Sequence, residues 1–161
     1  MMRKLFLIAL LPFAFLSCKK TAKCPYTAPT VVAPAAEVTA LEDYLNTNGL
    51  TATLTKHSSG LYYKIDAAGS GTVPGVCSVV TVKYNGRLTS GASFDSNTTG
   101  VSFYLGELIN GWKYGIPLIK SGGKITLYLP PSLGYGSTPV GSIPANSILI
   151  FDIELVNVSN N

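Results

Sequence analysis

Apolar and polar residues alternate along several stretches from residue 60 onward, and a period of two is typical of β-strands with one buried face. The stretches span residues 61–66, 78–84, 101–105, 124–129 and 147–156. In the last stretch, the positions that share one face are Leu149, Phe151, Ile153 and Leu155. The pattern predicts an antiparallel sheet with an apolar face turned to a core.

Two other segments show helical spacing. The first, residues 35–48, places Val38, Leu41 and Leu45 on one stripe and follows Pro34, a residue favoured in the first helical turn. We expect this helix to pack against the folded domain, and a dimerisation arm is the alternative.

A shorter helix is predicted between the third and fourth strands, over residues 111–119. Trp112, Ile116 and Ile119 fall on one side of it, and Pro117 helps to end it. Antiparallel strands wrapped around one short helix form an α+β arrangement. The predicted fold class is therefore an α+β antiparallel β-sheet around a short α-helix, preceded by an N-terminal helix and a tether.

The start of the chain is typical of a secretion signal. Arg3 and Lys4 precede an apolar run over residues 5–16, which is shorter than the ~20 residues that a membrane span needs. The run ends at Ser17 and Cys18, as in bacterial lipoprotein signals. We expect cleavage before Cys18 and lipidation of this cysteine. The alternative is an ordinary secretory peptide with an incidental cysteine.

These features divide the chain into four parts. We expect a lipoprotein signal peptide over residues 1–17 and a proline-interrupted tether over residues 18–33. An N-terminal helix and linker would follow over residues 34–59, and one folded domain over residues 60–158. Export would also permit a lasting disulfide. Cys24 and Cys77 are the pair that remains once Cys18 is lipidated, and two free thiols are the alternative.

Charge indicates the partners and the location. The 161-residue chain carries 12 Lys+Arg and 8 Asp+Glu, and loss of Arg3 and Lys4 with the signal would lower its net charge from +4 to +2. The basic group at Lys19, Lys20 and Lys23 favours an anionic membrane surface. We expect a lipid-anchored protein of the bacterial cell envelope, on the periplasmic face of the outer membrane, and no nucleic-acid partner.

The residue types exclude several kinds of catalysis. His57 is the only histidine, and we expect it in an exposed loop, so neither a Ser-His-Asp nor a Cys-His system can form. The sequence has no CxxC pair, HExxH motif or phosphate-binding loop. We therefore predict neither a cofactor nor a metal site.

An ordered series of motifs spans the second half of the chain. The motifs are Tyr84-Asn85-Gly86, Gly91, Phe94-Asp95, Leu105-Gly106, Leu108-Ile109-Asn110-Gly111-Trp112, Gly134-Tyr135-Gly136, Ile143-Pro144 and Phe151-Asp152-Ile153-Glu154-Leu155. In order and spacing they resemble the FKBP-type peptidyl-prolyl cis-trans isomerases. The resemblance implies the FKBP fold and isomerisation of X-Pro bonds.

The resemblance also implies a pocket. Its catalytic residues would be Tyr84, Phe94, Asp95, Trp112, Tyr135 and Phe151, with Trp112 as the floor and the other rings as walls or donors. Asp95 would orient Tyr84 or a substrate group, and Tyr135 would donate its hydroxyl to the peptide. Substrate-binding positions would be Val101, Leu108, Ile109 and Ile143. Phe103 would be a core residue, and Tyr62 a surface residue.

The sequence departs from the family pattern near Asp95. Residues 96–100 carry no charge, so the basic partner often found there is missing, and Val101 stands where a phenylalanine commonly lines the pocket. These departures bear on the affinity for macrolide inhibitors, which are candidate ligands. The expected partners are proline-containing unfolded or exported polypeptides. The alternative function is a non-catalytic chaperone or peptide-binding module on the same fold.

Overall fold

The computed structural model describes residues 24–160. The predicted signal peptide and the lipidation site at Cys18 lie outside these residues. The helices are α1 (Ala35–Thr47) and α2 (Asn110–Gly115). The strands are β1 (Thr55–Lys56), β2 (Tyr62–Ala67), β3 (Val79–Leu88), β4 (Ser93–Tyr104), β5 (Gly123–Leu129) and β6 (Leu149–Ser159). None of the described helices is long and apolar enough to cross a membrane.

The six strands form one sheet in the order β1-β2-β5-β6-β3-β4, and all pairings are antiparallel. The predicted inner face of β6 is confirmed, because Leu149, Phe151, Ile153 and Leu155 are all buried in the main core. Helix α2 covers this face, and the 3₁₀ turn Ile116–Leu118 continues from it. The predicted α+β fold is thus confirmed.

Two glycines let α2 lie unusually close to the sheet. A Cβ atom added to Gly111 would come within 2.3 Å of Leu129 Cδ1, and one added to Gly115 within 2.5 Å of Leu127 Cδ1. Real Cβ atoms do not approach side chains so closely, so these positions exclude larger residues. The close packing sets the depth at which Trp112, one residue after Gly111, enters the core.

The other face of the sheet is divided between apolar and polar rows. Tyr62, Tyr128 and Ile150 are cross-strand neighbours, and Leu41 and Leu45 of α1 pack on them to form a second core. The expectation that the N-terminal helix packs against the domain is therefore confirmed.

The expectation that Tyr62 lies at the surface is wrong. Its side chain is 8% exposed, and its hydroxyl donates a hydrogen bond to Glu42 Oε1 at 2.6 Å. Alternation along β2 correctly separates Tyr62 from the inner face, but it cannot show that α1 covers the outer face at this row.

Strand β4 is longer than predicted. It starts at Ser93 rather than Val101, and its first half pairs with β3 after a register shift between Val82 and Tyr84. Gly100 has a φ of +106°, and the Asn97 side chain accepts its N–H at 2.7 Å. This half of β4 carries mostly polar residues, so hydrophobic alternation gives no signal for it.

Residues 24–33 form an N-terminal strap that lies against the folded domain. Tyr26 contacts Gly106, and the Tyr114 hydroxyl lies within hydrogen-bond distance of the carbonyl oxygens of Pro29 and Val31, which share its one proton. This part of the predicted tether therefore does not stand away from the domain. His57 is half-buried rather than exposed, because its ring stacks on Tyr114 at a centroid distance of 5.1 Å.

Candidate functional site

A cavity of about 180 Å³ opens at one end of α2, between the helix and the inner face of the sheet. Strands β3, β4 and β6, helix α2 and the loops before α2 and after β5 all contribute to it. The lining residues are Tyr84, Asp95, Phe103, Leu108, Ile109, Trp112, Tyr135 and Phe151. All of them except Phe103 are residues that the sequence assigned to a pocket.

The Trp112 indole is the centre of the aromatic packing. Its ring lies 5.2 Å from Tyr84, 5.3 Å from Phe151 and 6.4 Å from Phe103 between centroids, with interplanar angles of 80°, 88° and 81°. Perpendicular contacts of this kind are favoured because the positive edge of one ring meets the negative face of another. The three contacts therefore hold the indole in one orientation.

The floor of the cavity is apolar. Trp112 is 4% exposed, and its Nε1 is buried without a hydrogen-bond acceptor among residues 24–160. Buried donors usually have an acceptor, so this orphaned N–H shows how completely rings and aliphatic groups surround the indole.

The polar groups lie at the mouth of the cavity. The Tyr84 hydroxyl donates a hydrogen bond of 2.7 Å to Asp95 Oδ2. Burial, followed by this hydrogen bond, raises the pKa of Tyr84 to about 12. Burial and the negative charge of Asp95 also raise the pKa of Tyr135. In both residues the surroundings favour the protonated phenol.

Asp95 is exposed and has no basic partner within the described part of the chain. The four ion pairs found there are Lys56–Glu42, Lys64–Asp66, Arg87–Asp152 and Lys124–Glu154. Asp95 is also the only charged residue that lines the cavity. Among the described residues, Tyr84 is the side chain that donates a hydrogen bond to the Asp95 carboxylate.

A backbone donor lies at the rim. Ile109 immediately precedes α2, and its N–H has no acceptor among the residues that the structure describes. Its carbonyl, in contrast, accepts the N–H groups of Trp112 at 3.0 Å and Lys113 at 3.2 Å. The Ile109 N–H is thus free to bind a carbonyl of a ligand.

Three residues assigned from sequence do not line the cavity. Phe94 packs behind Phe151 at 5.5 Å and 85°, in a space that exists because residue 86 is glycine. Val101 is a half-buried neighbour of the main core, and Ile143 is buried in that core. Phe94 therefore supports the Phe151 wall, whereas Val101 and Ile143 belong to the packing of the main core.

Phe103 was missed as a pocket residue. It lines the cavity, although its place in the sequence pattern predicted a core residue. The available signal was alternation, because Phe103 lies two residues after Val101 and so shares its side of β4. Of these two residues, Phe103 has the larger side chain and lines the cavity, whereas Val101 does not.

A larger depression of about 460 Å³ lies on the outer face of the sheet. Its lining includes Lys124 and Glu154, which pair at 3.2 Å, and Asp152, which pairs with Arg87 at 3.2 Å. Four of its five charged residues form ion pairs, and Tyr84 is its only aromatic residue. We therefore assign the candidate site to the smaller, aromatic cavity.

No metal site is found in the described residues, where no three His, Cys, Asp or Glu side chains group together. The chemistry available to a ligand in the cavity is apolar burial, the Tyr135 hydroxyl, one carboxylate and one backbone donor, because the Tyr84 hydroxyl is already bonded to Asp95. Such a set suits a ligand with an apolar ring and flanking carbonyls.

A sequence profile of one known family matches this region. The profile, described as FKBP-type peptidyl-prolyl cis-trans isomerase, covers residues 71–156, which include every residue that lines the cavity. The chain belongs to this family. The whole cavity is thus part of the FKBP domain, whereas α1 and the N-terminal strap precede the matched region.

Relatives from several bacteria agree with this assignment. FkpA of Buchnera aphidicola (from Schizaphis graminum), an FKBP-type peptidyl-prolyl cis-trans isomerase by name, is 47% identical over 111 residues, which are 66% of this chain and 44% of the relative. FkpA of Escherichia coli K12 is 45% identical over 104 residues, 63% of this chain and 38% of the relative. The chain thus spans less than half the length of these curated relatives.

Solved structures show the same fold. The crystal structure of FkpA from Escherichia coli matches with a TM-score of 0.70 and 38% identity, and covers 78% of this chain and 60% of that one. A peptidyl-prolyl cis-trans isomerase from Pseudomonas syringae matches with a TM-score of 0.69 and 29% identity, and covers 80% and 98%.

The Tyr84–Asp95 pair makes a prediction about alkaline stability. The pKa of Tyr84 in the folded protein is about 12, above the value of about 10 in an unfolded chain. The neutral hydroxyl therefore stabilises the fold fully below pH 10, and this contribution is lost as the pH rises through 12. The difference in the free energy of unfolding between the wild type and Tyr84→Phe, measured by urea titration, should therefore decrease from pH 10 to pH 12.

The variant Asp95→Asn serves as the matched control, because it keeps an acceptor but removes the charge. It should lower the pKa of Tyr84 only in part, since burial is the larger cause. The ionisation of Tyr84 can be followed as the difference in ultraviolet absorption between the folded wild type and Tyr84→Phe. A midpoint near pH 10 would contradict the raised pKa of this phenol.

Proposed function

We propose that the protein catalyses cis-trans isomerisation of X-Pro bonds in polypeptides. The observation that carries the proposal is the aromatic enclosure around Trp112, with the free Ile109 N–H at its rim. Membership of the FKBP family supports it.

The reaction needs rotation about one bond rather than proton transfer or a nucleophile. Resonance gives the peptide C–N bond double-bond character and a barrier of ~18–20 kcal/mol. Twisting the amide removes this resonance and reduces the charge separation of the carbonyl. An apolar cavity therefore destabilises the planar amide more than the twisted one, provided that binding of the flanking peptide offsets the cost of desolvation.

Each group in the cavity has a part in this mechanism. The prolyl ring lies on the Trp112 indole, and Phe151 and Phe103 exclude water from the twisting carbonyl. The Ile109 N–H and the Tyr135 hydroxyl bind carbonyls on either side of the proline. Asp95 keeps the Tyr84 hydroxyl turned towards itself at 2.7 Å, so the wall beside the carbonyl stays fixed.

A non-catalytic peptide-binding or chaperone function is the second candidate. Tyr135 and Val140, on the loop between β5 and β6, are 39% and 43% exposed. Exposed apolar groups next to a cleft suit capture of unfolded chains. Binding of a proline peptide without any rate enhancement would favour this function.

We place the activity in the bacterial cell envelope, with a lipid on Cys18 holding the protein to the periplasmic face of the outer membrane. Support comes from the apolar run over residues 5–16 and the cysteine that follows Ser17. Proline-containing exported polypeptides are then the substrates, and macrolides are candidate inhibitors of the same cavity.

We further propose a disulfide between Cys24 and Cys77. Their Cα atoms are 5.8 Å apart, within the usual range for a bridge, and 53 residues separate them in sequence. A disulfide typically contributes ~2–4 kcal/mol to the free energy of unfolding. The bond would fasten the start of the N-terminal strap beside β3.

The pocket assignment predicts unequal effects of aromatic substitutions. Trp112→Leu and Phe151→Ala should lower kcat/KM by about 10- to 100-fold, because each opens the floor or wall to water; this loss equals about 1.4–2.8 kcal/mol. Tyr44→Ala, on α1 and on the opposite face of the sheet, is the control. A protease-coupled assay on an X-Pro peptide, corrected for the folded fraction by circular dichroism, measures the effect.

Equal losses for all three folded variants would show that the cavity is not the active site. A wild-type protein that binds the peptide without accelerating its isomerisation would contradict the proposed enzyme and support the binding module.

The anchor makes a separate prediction. Cys18→Ser should abolish metabolic labelling with a fatty acid and move the protein from the membrane fraction to the soluble envelope fraction. Cys24→Ser is the control, since it leaves the lipidation site intact. A Cys18→Ser protein that remains in the membrane fraction would rule out the lipid as the anchor.

The disulfide can be tested on exported protein. Alkylation without reduction, followed by peptide mass mapping, should recover the peptides of Cys24 and Cys77 joined to each other. Two alkylated thiols in exported, folded material would refute the bond.

A further inference from the structure

The N-terminal strap touches the part of the domain that forms the rim of the cavity. The Tyr26 ring packs on Gly106, where an added Cβ would lie 2.2 Å from Tyr26 Cγ. Its hydroxyl donates a hydrogen bond of 2.5 Å to Glu107 Oε1, and its ring lies 6.2 Å from that of Tyr104. Tyr26 thus contacts the two residues that immediately precede Leu108.

A second contact joins the strap to α2. The Tyr114 hydroxyl lies 2.9 Å from the carbonyl oxygens of both Pro29 and Val31. Farther along, the Ala33 N–H donates to the Ser59 carbonyl at 2.9 Å, and Ala33 is buried in the main core. The strap therefore contacts the segment from Gly106 to Tyr114 at both of that segment's ends: Tyr26 at the first end, and Pro29 and Val31 at the second.

That segment carries three of the residues that line the cavity. Leu108 and Ile109 form the rim and Trp112 the floor. The turn before α2 is bonded at the Leu108 N–H, which donates to the Leu105 carbonyl at 3.2 Å, and at the Ile109 carbonyl, which accepts from Trp112 and Lys113. The Ile109 N–H has no acceptor in residues 24–160, so its position depends on the turn and on the contacts that surround the turn.

We propose that Tyr26 is a positioning residue, which holds the rim through Gly106 and Glu107 so that the Ile109 N–H and Leu108 stay in place to bind the peptide. The segment lies between the strap on one side and the cavity on the other. This role rests on the proposed isomerase function of the cavity. The proposal assigns a role in peptide binding to residues 24–33, which lie outside the region matched by the family profile.

The two parts of Tyr26 have separable effects. Its ring fills the space above Gly106, and removing it leaves that surface exposed to water. Its hydroxyl forms one hydrogen bond at a half-exposed position, which is worth less than a buried one. Loss of the ring should therefore weaken peptide binding more than loss of the hydroxyl.

The test uses the full chain with Tyr26→Ala and Tyr26→Phe, and Tyr44→Ala and Tyr44→Phe as matched controls on α1. Trp112 is the only tryptophan, so its fluorescence reports on the cavity directly. We expect KM for a proline peptide to rise about three- to tenfold in Tyr26→Ala and about twofold in Tyr26→Phe, with kcat changed less than twofold. The midpoint of the peptide-induced change in Trp112 emission should shift by the same factors.

A folded Tyr26→Ala protein with wild-type KM and a wild-type emission titration would overturn the proposal. Equal shifts in Tyr44→Ala would also overturn it, because they would reflect general destabilisation. A wild-type protein without isomerase activity would refute the proposed function alone. The emission titration would then still show whether Tyr26 positions the peptide-binding rim.

Discussion

The close approach of α2 to the sheet is the constraint on which the rest of the structure depends. Gly111 and Gly115 leave room for Leu129 and Leu127, and this contact lowers the helix into the concave face. Trp112 is consequently held inside the core with only 4% of its surface exposed. A helix set farther from the sheet would leave the indole without its three perpendicular neighbours, and the cavity would lose its floor.

The apolar and polar groups of the cavity lie in different parts of it. The floor is made of aromatic rings and of an indole N–H that has no acceptor among residues 24–160, whereas the hydroxyls and the carboxylate lie at the mouth. This arrangement suits a ligand whose ring is desolvated while its flanking carbonyls find donors. Burial is the largest cause of the raised pKa values of Tyr84 and Tyr135, ahead of the charge of Asp95.

The sheet uses its two faces differently. The inner face is apolar along β5 and β6 and packs on α2, while the outer face has one apolar row under α1 and then polar rows. Lys64, Thr126, Asp152 and Asn85 form the row next to the apolar one. Helix α1 thus covers the part of the outer face that carries Tyr62, Tyr128 and Ile150, and the paired charges keep the remainder in water.

Alternation was enough to predict the inner faces of β5 and β6, because a strand repeats with a period of two. The family resemblance predicted seven of the eight residues that line the cavity, although it also assigned Phe94, Val101 and Ile143 to the pocket. The helix predicted over residues 111–119 ends at Gly115, and the 3₁₀ turn Ile116–Leu118 follows it. Only the packing of distant segments shows what covers each surface. Alternation assigns Tyr62 to the outer face but cannot reveal α1 above it, and it puts Val101 and Phe103 on one side of β4 without showing which reaches the cavity. The docking of Tyr26 on Gly106 joins positions 80 residues apart, and such a contact has no local period by which a sequence pattern could show it.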